Sequence, residues 1–407
     1  MEQIKGYFNG DYPFLESKFI KKSQFSGKKV LLRCDYNVPF FDNGEISDTS
    51  RIDKTLETIN YLLSSDASII ICSHLGRPHG QVIPALSLKP ISDYLSSIIN
   101  RKVKFTGQIF GATTSETIAS LEPGGVCMLE NLRFDIGEET CNDNFSQKLA
   151  ELSDVYVNDA FGTCHREHAS LVGVTKYLPS FYGCLIKHEI STMSKILKSP
   201  KRPFVTAIGG SKVSDKFGII KSFINITDVL IIGGGMAYTF MNALGYSVGD
   251  SICEKDKIEM AKTILTEAKE KNVKLLLPID NKIGKEYAPD TECKVVDADK
   301  IPDGWQGLDI GPKTEKLYTE EIKNAKTFIW NGPMGVSEWK NFSSGTFEVA
   351  RAAASPNIVS IVGGGDSAAA VKKLSLVDKM SHVSTGGGAS LMFFEGKELP
   401  GVAAIMS

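Results

Sequence analysis

The sequence predicts an α/β protein with two parallel-sheet halves joined by a helical connector. Its 407 residues exceed what one ordinary core can bury, so two domains of roughly 200 residues each are expected. Short apolar runs recur along the chain, and each is followed by a glycine-rich or polar turn and then by a helical pattern. Runs that are apolar throughout and alternate with helices are typical of strands buried on both faces of a parallel sheet.

The order of these runs gives the expected elements. Apolar residues at helical spacing predict a helix over residues 51–65 and another over 254–272. No clear strand is predicted between residues 171 and 200, where we expect a connector with a long helix over 183–198. The predicted strands lie at residues 29–34, 68–72, 126–129, 155–157, 204–208, 229–232, 274–277, 327–330 and 358–362.

Composition excludes several functional classes. A net charge of −2 argues against nucleic acid or an anionic membrane as the main partner. No apolar run approaches the ~20 residues that span a bilayer, and the N-terminus lacks the pattern of a signal peptide. The eight cysteines contain no CxxC pair, so we expect reduced thiols in a cytoplasmic protein rather than zinc ligands or disulfides.

Arginine is scarce, yet it recurs in the polar motifs of the first half. Only eight of the 46 basic residues are Arg. A guanidinium binds carboxylate or phosphate through two parallel hydrogen bonds, which Lys cannot do. Ligands bind at the carboxyl ends of parallel strands, so these motifs predict a clamp for a small, multiply anionic substrate. The residues that follow the predicted strands or an early helix start are Asp35, Asn37, Arg51, His74, Arg77, Arg133 and Arg166.

Each of these residues also has a purely structural interpretation. A single Arg after a strand usually makes a surface ion pair, and Arg33 lies deep enough in its apolar run to be structural. His165 and His168 are expected to hold their loop together. Asp159 is expected to cap a turn or orient an Arg. The recurrence of Arg in a Lys-rich chain is what favours the binding site.

The second half repeats a strand followed by glycines. Three triple-glycine runs lie at 233–235, 363–365 and 386–388, and the motif GGSKVSDK spans 209–216. Glycine-rich turns at helix starts expose backbone amides to phosphate. Neither a P-loop nor a GxGxxG dinucleotide fingerprint with its acidic partner is present. Asp366 either caps a helix or holds Mg²⁺. These parts favour phosphoryl transfer, which needs positioning and charge neutralisation more than a covalent catalyst.

Ten motifs in order resemble the phosphoglycerate kinase family, from about residue 4 to the C-terminus. The resemblance implies two doubly wound, Rossmann-like domains joined by a helical hinge, in a monomeric enzyme. It implies Mg²⁺-dependent transfer of the acyl phosphate of 1,3-bisphosphoglycerate to ADP, giving 3-phosphoglycerate and ATP in glycolysis. The motifs are RCDYNVP, SHLGRP, LENLRF, NDAFGTCHREH, GGSKVSDK, IGGGMAYTF, GLDIGP, WNGPMGVSEW, GGGDSAAA and STGGGAS.

The resemblance also implies domain bounds. Residues 1–174 would bind 3-phosphoglycerate, and 175–199 would form the hinge. Residues 200–391 would bind the nucleotide, and 392–407 would return to the first domain.

Residue roles follow from the same resemblance. The seven residues of the predicted anion clamp, from Asp35 to Arg166, would bind the glycerate substrate. Arg51 and Lys212, with Gly365 and Gly388 at helix N-termini, would contact the transferring phosphate. Lys216 would contact the nucleotide phosphates, Asp366 the Mg²⁺ and Glu338 the ribose. The remaining nucleotide-binding positions would be Gly210, Gly234, Gly235, Tyr238, Gly307, Leu308, Asn331, Gly364 and Ser367.

Some positions depart from the family pattern. Ser367 replaces a common Thr and should keep the hydroxyl, whereas Ser337 replaces a common Phe and loses apolar area. Cys34 replaces a common Val, and residues 105–111 lack acidic residues often found there. No departure removes a residue assigned to chemistry. A scaffold that has lost catalysis and a NAD-dependent dehydrogenase are the alternatives. The first would lack some of Arg51, Lys212, Lys216 and Asp366, and the second would need the dinucleotide fingerprint.

Overall fold

The chain forms two compact units. The structure is a computed structural model that describes residues 17–21 and 24–406. Residues 17–192 and 398–406 belong to the first unit, and residues 193–397 belong to the second. Each unit contains its own six-stranded sheet, in which every strand pair is parallel.

The sheet of the first unit has the order β3-β4-β2-β1-β5-β6. The chain builds outward from β1 through β2 to one edge and then continues from β5 on the other side of β1. Ligands bind at the carboxyl ends of strands where the order reverses in this way. The strands are β1 (Lys29–Arg33), β2 (Ser68–Cys72), β3 (Val103–Phe105), β4 (Val126–Met128), β5 (Val155–Asn158) and β6 (Ser180–Tyr182).

Helices flank this sheet. Ile52, Ile59 and Leu62 are buried in the same core cluster as the apolar residues of β1 and β2. The helix predicted over 51–65 is divided in two, because the buried Thr55 hydroxyl donates to the carbonyl of Ile52 and interrupts the regular ladder. The helices are α1 (Ser50–Asp53), α2 (Leu56–Leu63), α3 (Lys89–Ile98), α4 (Ala112–Ala119), α5 (Ile136–Glu139), α6 (Asp143–Ala150) and α7 (Cys184–Lys198).

The segment between 171 and 200 differs from its prediction in one respect. The long helix is present as α7, but the expectation of no strand is wrong, because β6 pairs with β5 at the edge of the sheet. The strand has only three residues and follows Pro179, so it produces no apolar run in the sequence. The division between the two units falls within α7.

The second unit has the sheet order β10-β8-β7-β15-β16-β17. Two smaller sheets accompany it: an antiparallel one with the order β12-β11-β14 and the pair β13-β9. The strands are β7 (Phe204–Ile208), β8 (Val229–Ile232), β9 (Ser247–Val248), β10 (Lys274–Leu276), β11 (Asp280–Gly284), β12 (Cys293–Asp297), β13 (Lys300–Ile301), β14 (Gln306–Ile310), β15 (Thr327–Asn331), β16 (Val359–Gly363) and β17 (His382–Val383).

The helices of the second unit cover its main sheet. The order reverses between β7 and β15, so the carboxyl ends of these two strands mark the expected ligand site. The helices are α8 (Phe217–Ile224), α9 (Ala237–Ala243), α10 (Ile258–Glu270), α11 (Pro312–Asn324), α12 (Ser344–Ala353), α13 (Gly365–Lys373) and α14 (Gly387–Phe394).

The last helix, α15 (Pro400–Met406), belongs to the first unit. The side-chain amide of Asn158 donates to the carbonyl of Gly401 at 3.0 Å, and the Tyr182 hydroxyl donates to the carbonyl of Val402 at 2.7 Å. Both side chains are fully buried, so these bonds satisfy polar groups that water does not reach. Among the helices of residues 17–21 and 24–406, none has the length and apolarity to cross a membrane.

Candidate active site

Four adjacent strand ends bring the predicted anion-binding residues of the first unit together. Strands β4, β2, β1 and β5 are neighbours in the sheet, and all run in the same direction. Each is followed by part of the predicted set, and α1 adds a further guanidinium. After β1 come Asp35 and Asn37, after β2 His74 and Arg77, after β4 Arg133, and after β5 Arg166, while α1 carries Arg51.

Hydrogen bonds to the loop after β1 hold Arg51 in place. Its Nη1 donates to Oδ2 of Asp35 at 2.9 Å and to the carbonyl of Asn37 at 3.2 Å. The Asn37 side chain accepts from the backbone N–H of Gly76 at 2.9 Å, which ties this loop to the one after β2. One third of the Arg51 side chain remains exposed, so a fixed guanidinium is available to a ligand.

His74 is buried among guanidinium groups. Burial is the main cause that holds the pKa of this imidazole well below its usual range, followed by Arg33, Arg133 and Arg51. The ring is therefore neutral at pH 7. It can take part in hydrogen bonding here without adding a further positive charge.

Arg133 is also buried, in the turn that follows β4. Its Nη1 donates to the carbonyl of Gly76 at 2.7 Å, and its Nε lies 3.3 Å from Oε1 of Glu139. The Nε–H nevertheless lacks a well-aligned hydrogen bond in the described structure. Burial lowers the pKa of this guanidinium, although Glu139 acts in the opposite direction.

Two further guanidiniums have no side-chain partner among residues 17–21 and 24–406. Arg77 is exposed, and Arg166 is half-buried near Arg133 and His168. Within the described residues, the four predicted Arg side chains form ion pairs with two carboxylates, those of Asp35 and Glu139, and the more distant Glu138 also acts on Arg133. This excess of positive charge suits a ligand with more than one negative charge.

The structure assigns other roles to the remaining polar residues of these loops. Arg33 is fully buried, and its Nε donates to Oγ of Ser170 at 2.8 Å. Oδ1 of Asp159 accepts from the backbone N–H of Leu185 at 2.9 Å, so this carboxylate caps α7 and does not orient an Arg in the described part of the chain. Nδ1 of His168 lies 3.8 Å from Oε1 of Glu138, without a hydrogen bond.

The second unit contains a cavity of about 490 Å³ at the carboxyl ends of its strands. It lies where the glycine motifs after β7 and β8 meet the loop after β15 and the strand β14. The predicted residues that line it are Gly210, Gly234, Gly235, Tyr238, Gly307, Leu308, Glu338 and Asp366.

Close packing explains why some walls of this cavity are glycine. A Cβ at Gly234, where φ is +69°, would lie 2.7 Å from the backbone of Gly210 and 2.8 Å from the carbonyl of Pro333. A Cβ at Gly307 would lie 1.9 Å from the hydroxyl of Tyr238, which itself donates to Oδ1 of Asn281 at 3.3 Å. Three loops can therefore approach closely enough to form a narrow cavity.

The other predicted nucleotide residues form a cluster beside the cavity rather than its wall. Nζ of Lys216 donates to Oδ1 of Asn331 at 2.6 Å. A Cβ atom added at Gly210 would lie 3.6 Å from Cε of Lys216. A Cβ at Gly364 would lie 3.4 Å from Nδ2 of Asn331. Burial lowers the pKa of the Lys216 ammonium, which Asp215 and Asp366 partly oppose.

The hydroxyl at position 367 is used by the fold. Oγ of Ser367 accepts from the backbone N–H of Gly332 at 2.8 Å, and the side chain is fully buried. It anchors the loop after β15 to the start of α13. The substitution of Ser for the common Thr therefore keeps the hydroxyl, as expected.

Two helix N-termini lie side by side in this cluster. A Cβ at Gly387 would lie 3.2 Å from Cα of Gly364 and 3.4 Å from the backbone N of Gly365. The first turns of α13 and α14 therefore adjoin, and Gly365 and Gly388 are both exposed there. Paired N-termini direct unpaired N–H groups and partial positive charge at the same volume, which suits a phosphoryl group. Lys212 is exposed in the loop before α8, without a partner in the described structure.

Asp366 fits the requirements of a magnesium ligand. Its carboxylate is exposed, lines the cavity and has no hydrogen bond within the described residues. The described residues contain no group of three or more His, Cys, Asp or Glu that could hold a metal alone. Mg²⁺ usually takes one or two carboxylates and completes its shell with water and substrate phosphates, so a single Asp beside a phosphate site is sufficient.

Sequence reasoning missed several residues of the cavity wall. They come from loops remote in sequence, and only Ser211 and the run from Pro333 to Val336 lie inside motifs that had been recognised. The ends of β9 and β11 carry single glycines, Gly249 and Gly284, and not the glycine runs that identified the other loops. The missed residues are Ser211, Asp250, Ile252, Tyr287, Gln306, Pro333, Met334, Gly335 and Val336.

Comparisons with known proteins agree with this geometry. The family model "Phosphoglycerate kinase" matches residues 20–397. A phosphoglycerate kinase of Clostridium perfringens is 50% identical over 391 residues, covering 95% of this chain and 98% of the relative. One from Clostridium tetani is 47% identical, covering 97% and 99%.

Solved structures are similar over the same span. The phosphoglycerate kinase of Coxiella burnetii has a TM-score of 0.83 and 39% identity, covering 95% of this chain and 99% of that one. That of Pyrococcus horikoshii has a TM-score of 0.82 and 32% identity, with coverage of 95% and 98%.

The two parallel sheets and the cavity beside paired helix N-termini define an α/β phosphotransferase. Its relatives narrow that class to phosphoglycerate kinases. The chain belongs to the phosphoglycerate kinase family. It is accordingly a kinase that acts in glycolysis.

Proposed function

We propose that each unit binds one substrate of the reversible reaction between 1,3-bisphosphoglycerate and ADP. The observation that carries this proposal is the excess of guanidinium groups at four adjacent strand ends of the first unit. That charge suits 3-phosphoglycerate, which carries a carboxylate and a phosphate. The proposed contacts come from Asp35, Asn37, Arg51, His74, Arg77, Arg133 and Arg166.

The nucleotide occupies the second unit. Its base and ribose lie in the glycine-lined cavity, with Glu338 at the ribose. Lys216 and Asn331, beside the start of α13, are placed to hold the phosphates. Asp366 holds Mg²⁺, which would neutralise phosphate charge when bound.

Transfer needs charge neutralisation and alignment rather than a general base. The acceptor carboxylate is already ionised at pH 7, so no side chain has to remove a proton from it. Arg51, Lys212 and the N-termini at Gly365 and Gly388 stabilise the charge on the moving phosphoryl group. Bending at 175–199 would bring the two substrates in line and exclude water, with residues 398–406 completing the first domain.

A coupled assay tests the proposed function. Purified protein, 3-phosphoglycerate, ATP and Mg²⁺ should give ADP at a rate that depends on all three additions. Absence of turnover with a folded protein would contradict the proposal and favour a binding scaffold. Titration with NAD should give no saturable signal, because the chain lacks the dinucleotide fingerprint.

The proposed function also includes an oligomeric state, a cellular location and the absence of macromolecular partners. We infer a monomer in the cytoplasm that needs neither nucleic acid nor membrane. Size-exclusion chromatography with light scattering should give the mass of one chain, 44.3 kDa. A mass twice as large would contradict the monomer.

A further inference from the structure

A buried chain of polar residues lies beside the first-unit site. Apart from His74 at its end, its members have no role in the function proposed above. It runs from Glu138 through Ser170 to Arg33 and ends on His74. We propose that Arg33 is a positioning residue that fixes the tautomer of His74, so that Nε2 carries the proton and donates it to the substrate. The substrate contact rests on the proposed function, whereas the tautomer does not.

The direction of each hydrogen bond follows from the chemistry of the groups. Glu138 accepts the backbone N–H of Ser170 at 2.9 Å and its hydroxyl at 2.6 Å. Because a hydroxyl has a single proton, Oγ of Ser170 then accepts from Nε of Arg33 at 2.8 Å. Arg33 and Glu138 are both fully buried, and Nη2 lies 3.8 Å from Oε1 of the carboxylate. This arrangement fixes the plane of the guanidinium.

The fixed guanidinium determines which nitrogen of His74 is protonated. Nη2 of Arg33 lies 3.3 Å from Nδ1 of the imidazole. A guanidinium donates only, so Nδ1 accepts from Arg33 and holds no proton. Oδ1 of Asp35 lies 3.9 Å from the same nitrogen, too far to accept a hydrogen bond from it. Burial and the neighbouring guanidiniums also keep the pKa of His74 well below its usual range, which excludes the doubly protonated ring. The remaining proton is on Nε2.

Nε2 is available to a ligand. It has no hydrogen-bond partner within residues 17–21 and 24–406, and the side chain keeps 4% of its surface exposed. A ring that presents N–H suits an anionic oxygen beside Arg51. The other tautomer would direct a lone pair at the same oxygen and repel it. Arg33 therefore affects substrate binding without touching the substrate.

Nitrogen NMR of the intact protein tests the tautomer. The protein has six histidines, and ¹⁵N-histidine labelling with His74→Gln identifies the signals of His74. At pH 7.5 we expect a pyridine-like Nδ1 and a pyrrole-like Nε2. Arg33→Met, which removes the donor, should give averaged shifts of two tautomers. It should also raise the KM for 3-phosphoglycerate roughly tenfold, the effect of losing one hydrogen bond, with the KM for ATP unchanged.

Tyr156→Phe is the matched control. The Tyr156 hydroxyl donates to the backbone carbonyl of Ser170 at 2.6 Å, so its loss perturbs the same buried region and leaves the side-chain donors intact. We expect the wild-type tautomer in this variant. Equal shifts in Tyr156→Phe and Arg33→Met would overturn the proposal, because both would then report only local packing.

Two further results separate the proposal from the proposed function. A wild-type His74 that is protonated on Nδ1, or is charged, overturns the role of Arg33 even if Arg33→Met does not fold. Ser170→Ala, a smaller change, should shift the tautomer in the same direction as Arg33→Met. If His74→Gln leaves the KM for 3-phosphoglycerate unchanged, the substrate contact fails, and the spectra still decide the role of Arg33.

Discussion

At the scale of single residues, the first-unit site depends on charges that are fixed before a ligand arrives. Arg51 is held by Asp35 and by a backbone carbonyl, and Arg133 is held by another carbonyl and by Glu139. Each keeps unused donors, since a guanidinium has five N–H groups. Preorganised donors of this kind stabilise developing charge without having to rearrange during the reaction.

Replacement of Arg51 by Ala should therefore affect the chemical step most. Loss of one preorganised donor to the transferring group lowers kcat by about 10²–10³-fold in comparable sites. We expect a change of that size in the coupled assay, with the KM for ATP within twofold of wild type. Arg101→Ala is the control, because within the described part of the chain its guanidinium makes a single hydrogen bond, to the carbonyl of Gly124 at 3.4 Å. An equal loss of nucleotide affinity would show that Arg51 has a different role.

The pH dependence of stability should reveal the neutral histidines. Burial lowers the pKa of His168 to about 3, with Arg133 as the next cause. Below pH 6.5 the unfolded chain binds a proton that the folded protein does not, so stability falls as the pH drops from 6.5 towards 3. We expect His168→Gln to flatten this dependence in urea unfolding at pH 7, 6 and 5. An unchanged slope would mean that His168 titrates normally in the folded state.

At the scale of elements, the start of α7 is fixed by one carboxylate. Oδ1 of Asp159 accepts from the N–H groups of Leu185 and Ile186 at 2.9 and 3.4 Å. The fit is tight, since a Cβ at Gly183 would lie 2.2 Å from the same oxygen. The cap joins the end of β5 to the helix that links the two units.

Asp159→Ala should destabilise the protein by about 1–2 kcal/mol, the usual cost of losing an N-cap. Asp159→Asn keeps an acceptor oxygen and should lose less. Asp93→Ala, on the exposed face of α3, is the matched control and should change stability by less than about 0.5 kcal/mol. Chemical unfolding measured by circular dichroism gives all three values. Equal stabilities of the Ala and Asn variants would argue against a capping role.

The sequence predicted the central strands of the two six-stranded sheets and missed three of their four edge strands. All nine predicted strands lie in the two six-stranded sheets, because strands covered on both faces are continuously apolar. Strands β3, β6 and β17 lie at sheet edges and have three residues or fewer, so they leave no apolar run. The antiparallel sheet was missed because β12 is largely exposed and has only two adjacent apolar residues, Val295 and Val296, between Lys294 and Asp297.

The candidate site likewise contains some residues that the sequence could reveal and others that only the structure reveals. Motif residues such as Arg133 and Gly234 could be identified because their types are uncommon in such positions and require a physical reason. Wall residues such as Asp250 and Gln306 are ordinary surface types, and only the tertiary fold brings them to the cavity. The tautomer of His74 was likewise beyond the sequence, because it depends on a contact with Arg33 across 41 positions.

At the scale of the whole molecule, two separate cores carry two different chemistries. The first unit concentrates guanidinium groups, and the second concentrates backbone amides and a cavity. Among the residues that the structure describes, neither unit contains both sets. A reaction that needs both therefore requires the complete chain.

Hydrogen exchange should resolve the two binding sites. We expect 3-phosphoglycerate alone to protect amides in the loops after β1, β2 and β4, and MgADP alone to protect those after β7, β15 and β16. Bound ligand stabilises the elements it contacts by mass action. Removal of Mg²⁺ with EDTA should weaken the protection that ADP gives around Asp366 and leave that of 3-phosphoglycerate unchanged. Protection of second-unit amides by 3-phosphoglycerate alone would contradict the assignment.

The place of α15 has a consequence for biosynthesis. The ribosome makes residues 17–192 first, but the amide of Asn158 and the hydroxyl of Tyr182 find their partners only in residues 401 and 402. More than two hundred residues of the second unit are synthesised in between. A nascent first unit therefore exposes an incomplete core while its neighbour is being made, and chaperones have longest access to that surface. The first unit can therefore complete its fold only after the second unit has been synthesised.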